Sequence, residues 1–123
     1  MILADTSIWV DHLRRSNLLL AKALEAGQIL AHPFVIGELA LGHLDPRASV
    51  LRDLQELTQS VVASHEEVLA FIDRERLHGF GIGYVDAHLL ASVRLTDGAF
   101  LWTRDRRLNR LAEKLKLAVK PTL

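Results

Sequence analysis

Met1-Ile2-Leu3-Ala4-Asp5-Thr6-Ser7 is the stretch that decides the fold. A short apolar run ends in three polar residues suited to capping, which reads as a buried strand turning directly into a helix near Ile8–Arg15. The same alternation continues outward. Leu18–Ala26 reads as a helix stopped by Gly27, and Ile29-Leu30-Ala31 as a strand. Pro33 can stand in the first turn of a helix running to about Leu44, where its missing N–H costs nothing. Val50, Leu51, Leu54 and Leu57 keep helical spacing within 46–58, and Ser60-Val61-Val62-Ala63 reads as a short strand. Ser64 followed by Glu67 forms a capping box that opens a helix to about His78. Gly79-Phe80-Gly81-Ile82-Gly83 breaks the pattern, and Val85–Leu95 is then an almost wholly apolar helix. Phe100-Leu101-Trp102-Thr103 reads as a buried strand, and Leu108, Leu111, Ala112 and Leu115 share one face of a last helix. Short apolar strands alternating with helices predict an α/β fold, with a mainly parallel central sheet flanked by helices.

The 123 residues suit a single domain, 1–123, with no repeat or linker to divide it. Half the residues are hydrophobic, too many for a disordered chain. The absence of cysteine excludes disulfide scaffolds and thiolate metal sites and fits a reducing cytosol, so a cytoplasmic location is expected. No apolar run approaches the ~20 residues of a membrane span, and the first residues lack the features of a signal peptide. The formal charge is zero, with 15 cations and 15 anions, yet residues 104–123 hold seven cations and two anions, a net +5. The first 103 residues therefore carry −5. Such a chain can set an acidic site beside a basic helix, the pairing that metal-dependent chemistry on a polyanion requires. A solvated helix with cations toward its C-terminal end explains the charge equally well.

Four acids stand where hydrophobic patterning would not put them. Asp5 follows the first strand, and the carboxyl ends of strands are where open α/β sheets bind ligands; it also makes a good helix cap. Glu38 is the only acid between Pro33 and Leu44 and shares a helix face with Phe34, Val35 and Leu41, so burial would oblige it to find a partner or a cation. Asp86 opens the apolar helix, where the macrodipole favours an acid. Asp105 follows the last strand and precedes the basic helix. Gathered together, these carboxylates would repel unless a hard cation such as Mg²⁺ or Mn²⁺ neutralised them.

Ile2-Leu3-Ala4-Asp5-Thr6-Ser7, Pro33-Phe34-Val35-Ile36-Gly37-Glu38-Leu39, Val85-Asp86-Ala87-His88-Leu89-Leu90-Ala91 and Leu101-Trp102-Thr103-Arg104-Asp105, in that order, resemble the motifs of a PIN domain. Within that superfamily the chain is similar to the VapC-type toxins of bacterial toxin–antitoxin modules, over essentially its whole length. The resemblance implies a three-layer fold and a Mg²⁺-dependent endoribonuclease, with Mn²⁺ able to substitute. Asp5, Glu38, Asp86 and Asp105 match the acidic quartet, Asp5 and Asp86 its firmest metal ligands, and Ser7 and Thr103 its supporting polar positions. It also implies an RNA substrate, a cognate VapB-type antitoxin and a homodimer. The inhibitor is expected to lay an apolar helix near Gly37 and Gly42 and to send an Arg toward the carboxylates.

Arg104 is the residue best suited to phosphate contact, with Arg107 and Arg14 behind it. His88 lies outside the general motif and reads as a core-edge histidine rather than a ligand. His12, His32, His43, His65 and His78 show no metal-ligand pairing, and Trp9 and Trp102 read as core. Gly79–Gly83 lacks the Lys-Ser/Thr ending of a phosphate loop. A haloacid-dehalogenase-like phosphatase would need an Asp at position 7, which is Ser, and a receiver domain would need an Asp after the strand at 60–63, where Ser64-His65 stands. A catalytically silent PIN-like binding or assembly module is the alternative from a different class.

Overall fold

A computed structural model describes residues 1–120. The elements run β1 (Ile2–Ala4), α1 (Thr6–Arg15), α2 (Leu18–Glu25), β2 (Ile29–Ala31), α3 (Pro33–Ala40), α4 (Arg47–Glu56), β3 (Thr58–Gln59), α5 (His65–Glu75), α6 (Tyr84–Leu95), β4 (Phe100–Trp102) and α7 (Arg106–Lys114). The four strands form one sheet in the order β3-β2-β1-β4, with every pairing parallel. Leu3 is in register with Leu30 on one side and Leu101 on the other, and all three are buried. This leucine row lines one face of the sheet, and its burial fits a parallel sheet covered by helices. A further bridge, Leu101 to Ala118, runs parallel beyond β4.

The strand order positions the site. From β1 the chain steps outward to β2 and then β3, and afterwards crosses back to place β4 on the opposite side of β1. With right-handed crossovers, α1–α4 then cover one face while α5 and α6 cover the other. α1 packs on α3, and α5 on α6. The reversal makes the carboxyl ends of β1 and β4 a topological switch point, where open α/β sheets leave a crevice. Asp5 directly follows β1, and Thr103–Asp105 directly follow β4.

Several boundaries differ from the sequence reading. The helix from Pro33 ends at Ala40 rather than near Leu44, leaving Leu41 90% exposed. The helix from Ser64 stops at Glu75 because Arg76 adopts the left-handed conformation, φ 54°. The third strand is Thr58–Gln59 rather than Ser60–Ala63; Ser60 still donates its N–H to the Ala31 carbonyl, but Val61 and Val62 are exposed. Backbone pairing with β2, and not side-chain apolarity, locates this edge strand.

Candidate active site

Asp5 is the buried member of the acidic set. Its backbone caps α1, and its Oδ1 accepts from the Ile8 N–H at 3.3 Å. The Ser7 hydroxyl donates to the same oxygen, and the Thr103 hydroxyl donates to Oδ2. Each hydroxyl is oriented in turn by the chain after β4. The Arg104 N–H donates to Ser7 Oγ at 3.0 Å, and the Asp105 N–H to Thr103 Oγ1 at 3.0 Å. With its lone pairs engaged by those amides, each hydroxyl points its proton at Asp5. Burial pushes the Asp5 carboxyl above its ordinary range, while the hydrogen bonds from Ser7, Thr103 and the backbone pull it back. Ser7 and Thr103, expected as supporting groups, thus grip both oxygens of one carboxylate.

Asp86 lies in the first turn of α6 and accepts from the Gly83 N–H at 3.4 Å. Burial raises its pKa; the Gly83 bond opposes this, and the charges of Asp105, Asp5 and Glu38 raise it further. The structure therefore brings all four acids into one electrostatic neighbourhood. Asp105 caps α7 through Leu108 N–H to Oδ1, 3.0 Å. Asp5 and Asp105 are thus helix caps, Asp86 bonds the cap residue of its helix from the first turn, and all three belong to the cluster. The capping geometry explains how like charges coexist, since three helix N-termini carry partial positive charge toward them.

Glu38 reaches the set for a reason other than the one its sequence position implied. It is exposed, so no burial penalty obliges it to find a partner. The Thr6 hydroxyl nevertheless holds its Oε1 at 2.7 Å, linking α3 to the start of α1. Thr6 was not singled out by sequence, although it stands between Asp5 and Ser7 in the stretch that decides the fold.

Of the three candidate phosphate-binding arginines, Arg104 is paired within the chain and Arg107 lies close to the glycine-rich segment. Arg104 pairs with Asp11 of α1 at 2.7 Å, and Arg15 meets the same Asp11 oxygen at 3.1 Å. Arg107 lies over the glycine-rich segment, where a Cβ added to Gly81 would stand 2.7 Å from its Nη1; Gly81 has φ +77°. The glycine at 81 therefore leaves room for the Arg107 side chain of α7. Asp11 is a second residue missed by sequence, because nothing local marks it as the partner of a cation 93 positions away.

Among the described residues, no three His, Cys, Asp or Glu side chains are gathered tightly enough to enclose one ion. The donor chemistry still fits a hard divalent cation. All four groups offer carboxylate oxygen, Asp86 is held in its neighbours' negative field, and Mg²⁺ usually takes one or two carboxylates plus waters rather than a protein cage. His88 is a core-edge histidine, packed on Phe34 and Tyr84. Trp9 is buried, and Trp102 packs against the core.

The PIN domain family model matches residues 2–114. Ribonuclease VapC32 of Mycobacterium tuberculosis, from strain CDC 1551 / Oshkosh and from strain ATCC 25618 / H37Rv, is 51% identical over 108 residues, covering 88% of this chain and 87% of the relative. With its parallel sheet, its acids at the carboxyl ends of β1 and β4, and these matches, the chain belongs to the PIN-domain family and is closely related to that ribonuclease.

Proposed function

We propose that residues 1–123 form a single Mg²⁺-dependent endoribonuclease unit that hydrolyses phosphodiester bonds of RNA. The observation that carries this reading is the junction at the carboxyl ends of β1 and β4, where Ser7 and Thr103 hold both oxygens of the buried Asp5 and Asp105 caps α7 two residues after Thr103. Likeness to a protein named ribonuclease supports it. Asp5 and Asp86 would hold the ion. When bound, Mg²⁺ supplies positive charge against phosphate oxygens and makes a neighbouring water more acidic. Asp5 is oriented by Ser7 and Thr103, whose hydrogen bonds favour its charged form, while Glu38, steadied by Thr6, and Asp105 would accept the proton of the attacking water or orient it. Arg104 and Arg107 position the strand through its phosphates, without reading sequence.

The same reading makes the chain the toxin of a cytoplasmic toxin–antitoxin pair, restrained by a VapB-type antitoxin and assembled as a homodimer. Among the described residues no helix is long and apolar enough to cross a membrane. Exposed Leu41, beside Gly42 and close to the open surface at Gly37, supports docking of an apolar antitoxin helix near α3. The lack of a tight three-ligand cluster favours a second reading, a silent binding module. Incubating purified protein with single-stranded RNA and Mg²⁺ or Mn²⁺ separates them. Cleavage that stops with EDTA, with Asp86→Asn and with the co-purified antitoxin supports the nuclease; intact RNA under every metal supports the silent module.

A further inference from the structure

An aromatic row runs beside the acids and plays no part in their chemistry. Phe34 lies one helical turn before Glu38, on the same side of α3. Its ring packs 4.4 Å from His88, His88 meets Tyr84 at 5.2 Å edge-on, and Tyr84 meets His65 at 5.6 Å. The inner members are covered, but Tyr84 stays 43% exposed. One exposed aromatic requires no explanation. Tyr84 differs in being fixed, since its hydroxyl shares a 2.7 Å hydrogen bond with His65 Nδ1 while its ring rests on His88. It opens α6 two residues before Asp86, and Gly83 beside it has open space where a Cβ would stand. Two cations meet the segment that leads into it: Arg107 lies against Gly81, and Lys114 stands 5.5 Å over the Phe80 ring.

A held, exposed ring two residues from Asp86, just after a segment met by two cations, has the makings of a single-strand platform. Bases stack on aromatic faces whatever their identity, and neighbouring cations hold the backbone. We infer that the open face of Tyr84, braced by His65 and His88, is a stacking subsite for an unpaired base flanking the cleaved linkage of single-stranded RNA; this rests on the ribonuclease reading. The site reads strandedness: a base locked in a duplex cannot reach the ring without leaving its stack.

Tyr84 is the only tyrosine in the chain, so carbon-13 labelling of tyrosine rings reports this position alone. The probe is a mixed-sequence single-stranded oligoribonucleotide, with Ca²⁺ replacing Mg²⁺ to slow cleavage, and the same oligomer made abasic serves as control. An upfield shift of the ring signals with the intact strand and none with the abasic strand is expected. Tyr84→Leu should weaken binding roughly 5- to 100-fold, with the loss in KM rather than kcat and absent on abasic RNA. Tyr84→Phe and Tyr84→Trp should keep near wild-type affinity. An unmoved ring signal while the wild type binds overturns the subsite, as does Tyr84→Phe weakening binding as much as Tyr84→Leu, which would assign the effect to the His65 hydrogen bond. Unchanged affinity with altered sedimentation of Tyr84→Leu overturns it in favour of an interface between copies. Failure of the wild type to bind or cleave any RNA overturns the ribonuclease reading itself.

Discussion

Two polar clusters sit at the carboxyl ends of the strands and treat charge in opposite ways. At β1 and β4, the buried Asp5 is met by two hydroxyls and a backbone N–H, all donating to its ionised form. At the end of β2, His32 is fully buried with one acceptor and one donor role already assigned. Its Nδ1 accepts from the Phe34 N–H at 3.0 Å, so the ring proton lies on Nε2, 3.1 Å from the Ser92 hydroxyl. Burial, with a smaller contribution from His88, lowers His32 to about 4. The difference teaches that burial disfavours charge in both clusters and that the hydrogen bonds decide how far it is opposed: convergent donors offset part of the desolvation of Asp5, whereas the Phe34 N–H on Nδ1 leaves His32 no site for a second proton.

The strongest way to break this comparison is to remove charge from the acidic cluster. Asp5→Asn or Asp86→Asn should lower RNA cleavage by about 10²-fold or more, leaving the fold intact by circular dichroism. Retention of activity in both variants would remove these carboxylates from the chemistry.

Acid should strike the imidazole cluster instead. His32 is neutral when folded and titrates at its ordinary value, near 6.5, when unfolded, so the unfolded chain binds the extra proton first. The stability this neutrality preserves is complete above pH 6.5 and is lost as pH falls toward about 4, to a total of up to about 3 kcal/mol. Chemical denaturation between pH 7 and 4 measures it, and a His32→Gln variant should show a shallower fall. Equal slopes in the two proteins would mean that His32 does not govern the transition.

Smaller losses should follow when donors to Asp5 are deleted. Ser7→Ala and Thr103→Val should each reduce cleavage by roughly 10- to 100-fold, as expected for groups that orient a metal-binding carboxylate. Higher metal concentration should partly restore the rate. Loss of folding rather than of metal response would make their role architectural.

The smallest effect is a change of sign. Asp86 is raised when folded, so the metal-free fold loses stability as pH climbs from the ordinary carboxyl value through the raised one. Without divalent cations at pH 7, Asp86→Asn should stabilise the protein by up to about 1 kcal/mol, discounted for solvent screening at this half-exposed group. Adding Mg²⁺ should stabilise the wild type more than the variant and narrow or reverse the gap. Thermal melts with and without Mg²⁺ decide it, and a variant less stable than wild type under both conditions contradicts a cost of charge at Asp86 from burial and neighbouring acids.

Much of the acidic set was legible because each member interrupts a local pattern: Asp5 and Asp105 end apolar strands, and Asp86 opens an apolar helix. Glu38 was singled out by a burial argument that does not apply, since its side chain is exposed and is recruited by Thr6 across 32 positions. The basic character of α7 was visible, but the Asp11 partner of Arg104 and the Gly81 seat of Arg107 were not. Periodicity reports which side of a helix faces the core, but it does not say which distant backbone a long side chain will meet. The strand after α4 was misplaced for a related reason: β3 is an exposed pair of polar residues, recognisable only through its register with Leu30 and Ala31.

By itself the sequence determined the alternation of strands and helices, the caps at Asp5, Ser64 and Asp105, and the buried parallel character of the sheet. These follow from interactions within a few residues, where helical and strand periods and capping hydrogen bonds act. Tertiary structure alone decided that β4 lies beside β1, bringing Thr103 onto Asp5 from 98 residues away and placing Asp105, Glu38 and Asp86 in one field. It also decided that His32 is neutral and that Tyr84 is held in place while 43% exposed. Strand order and side-chain environment are settled by burying the leucine row across β1, β2 and β4, a condition that no local stretch of chain can satisfy alone.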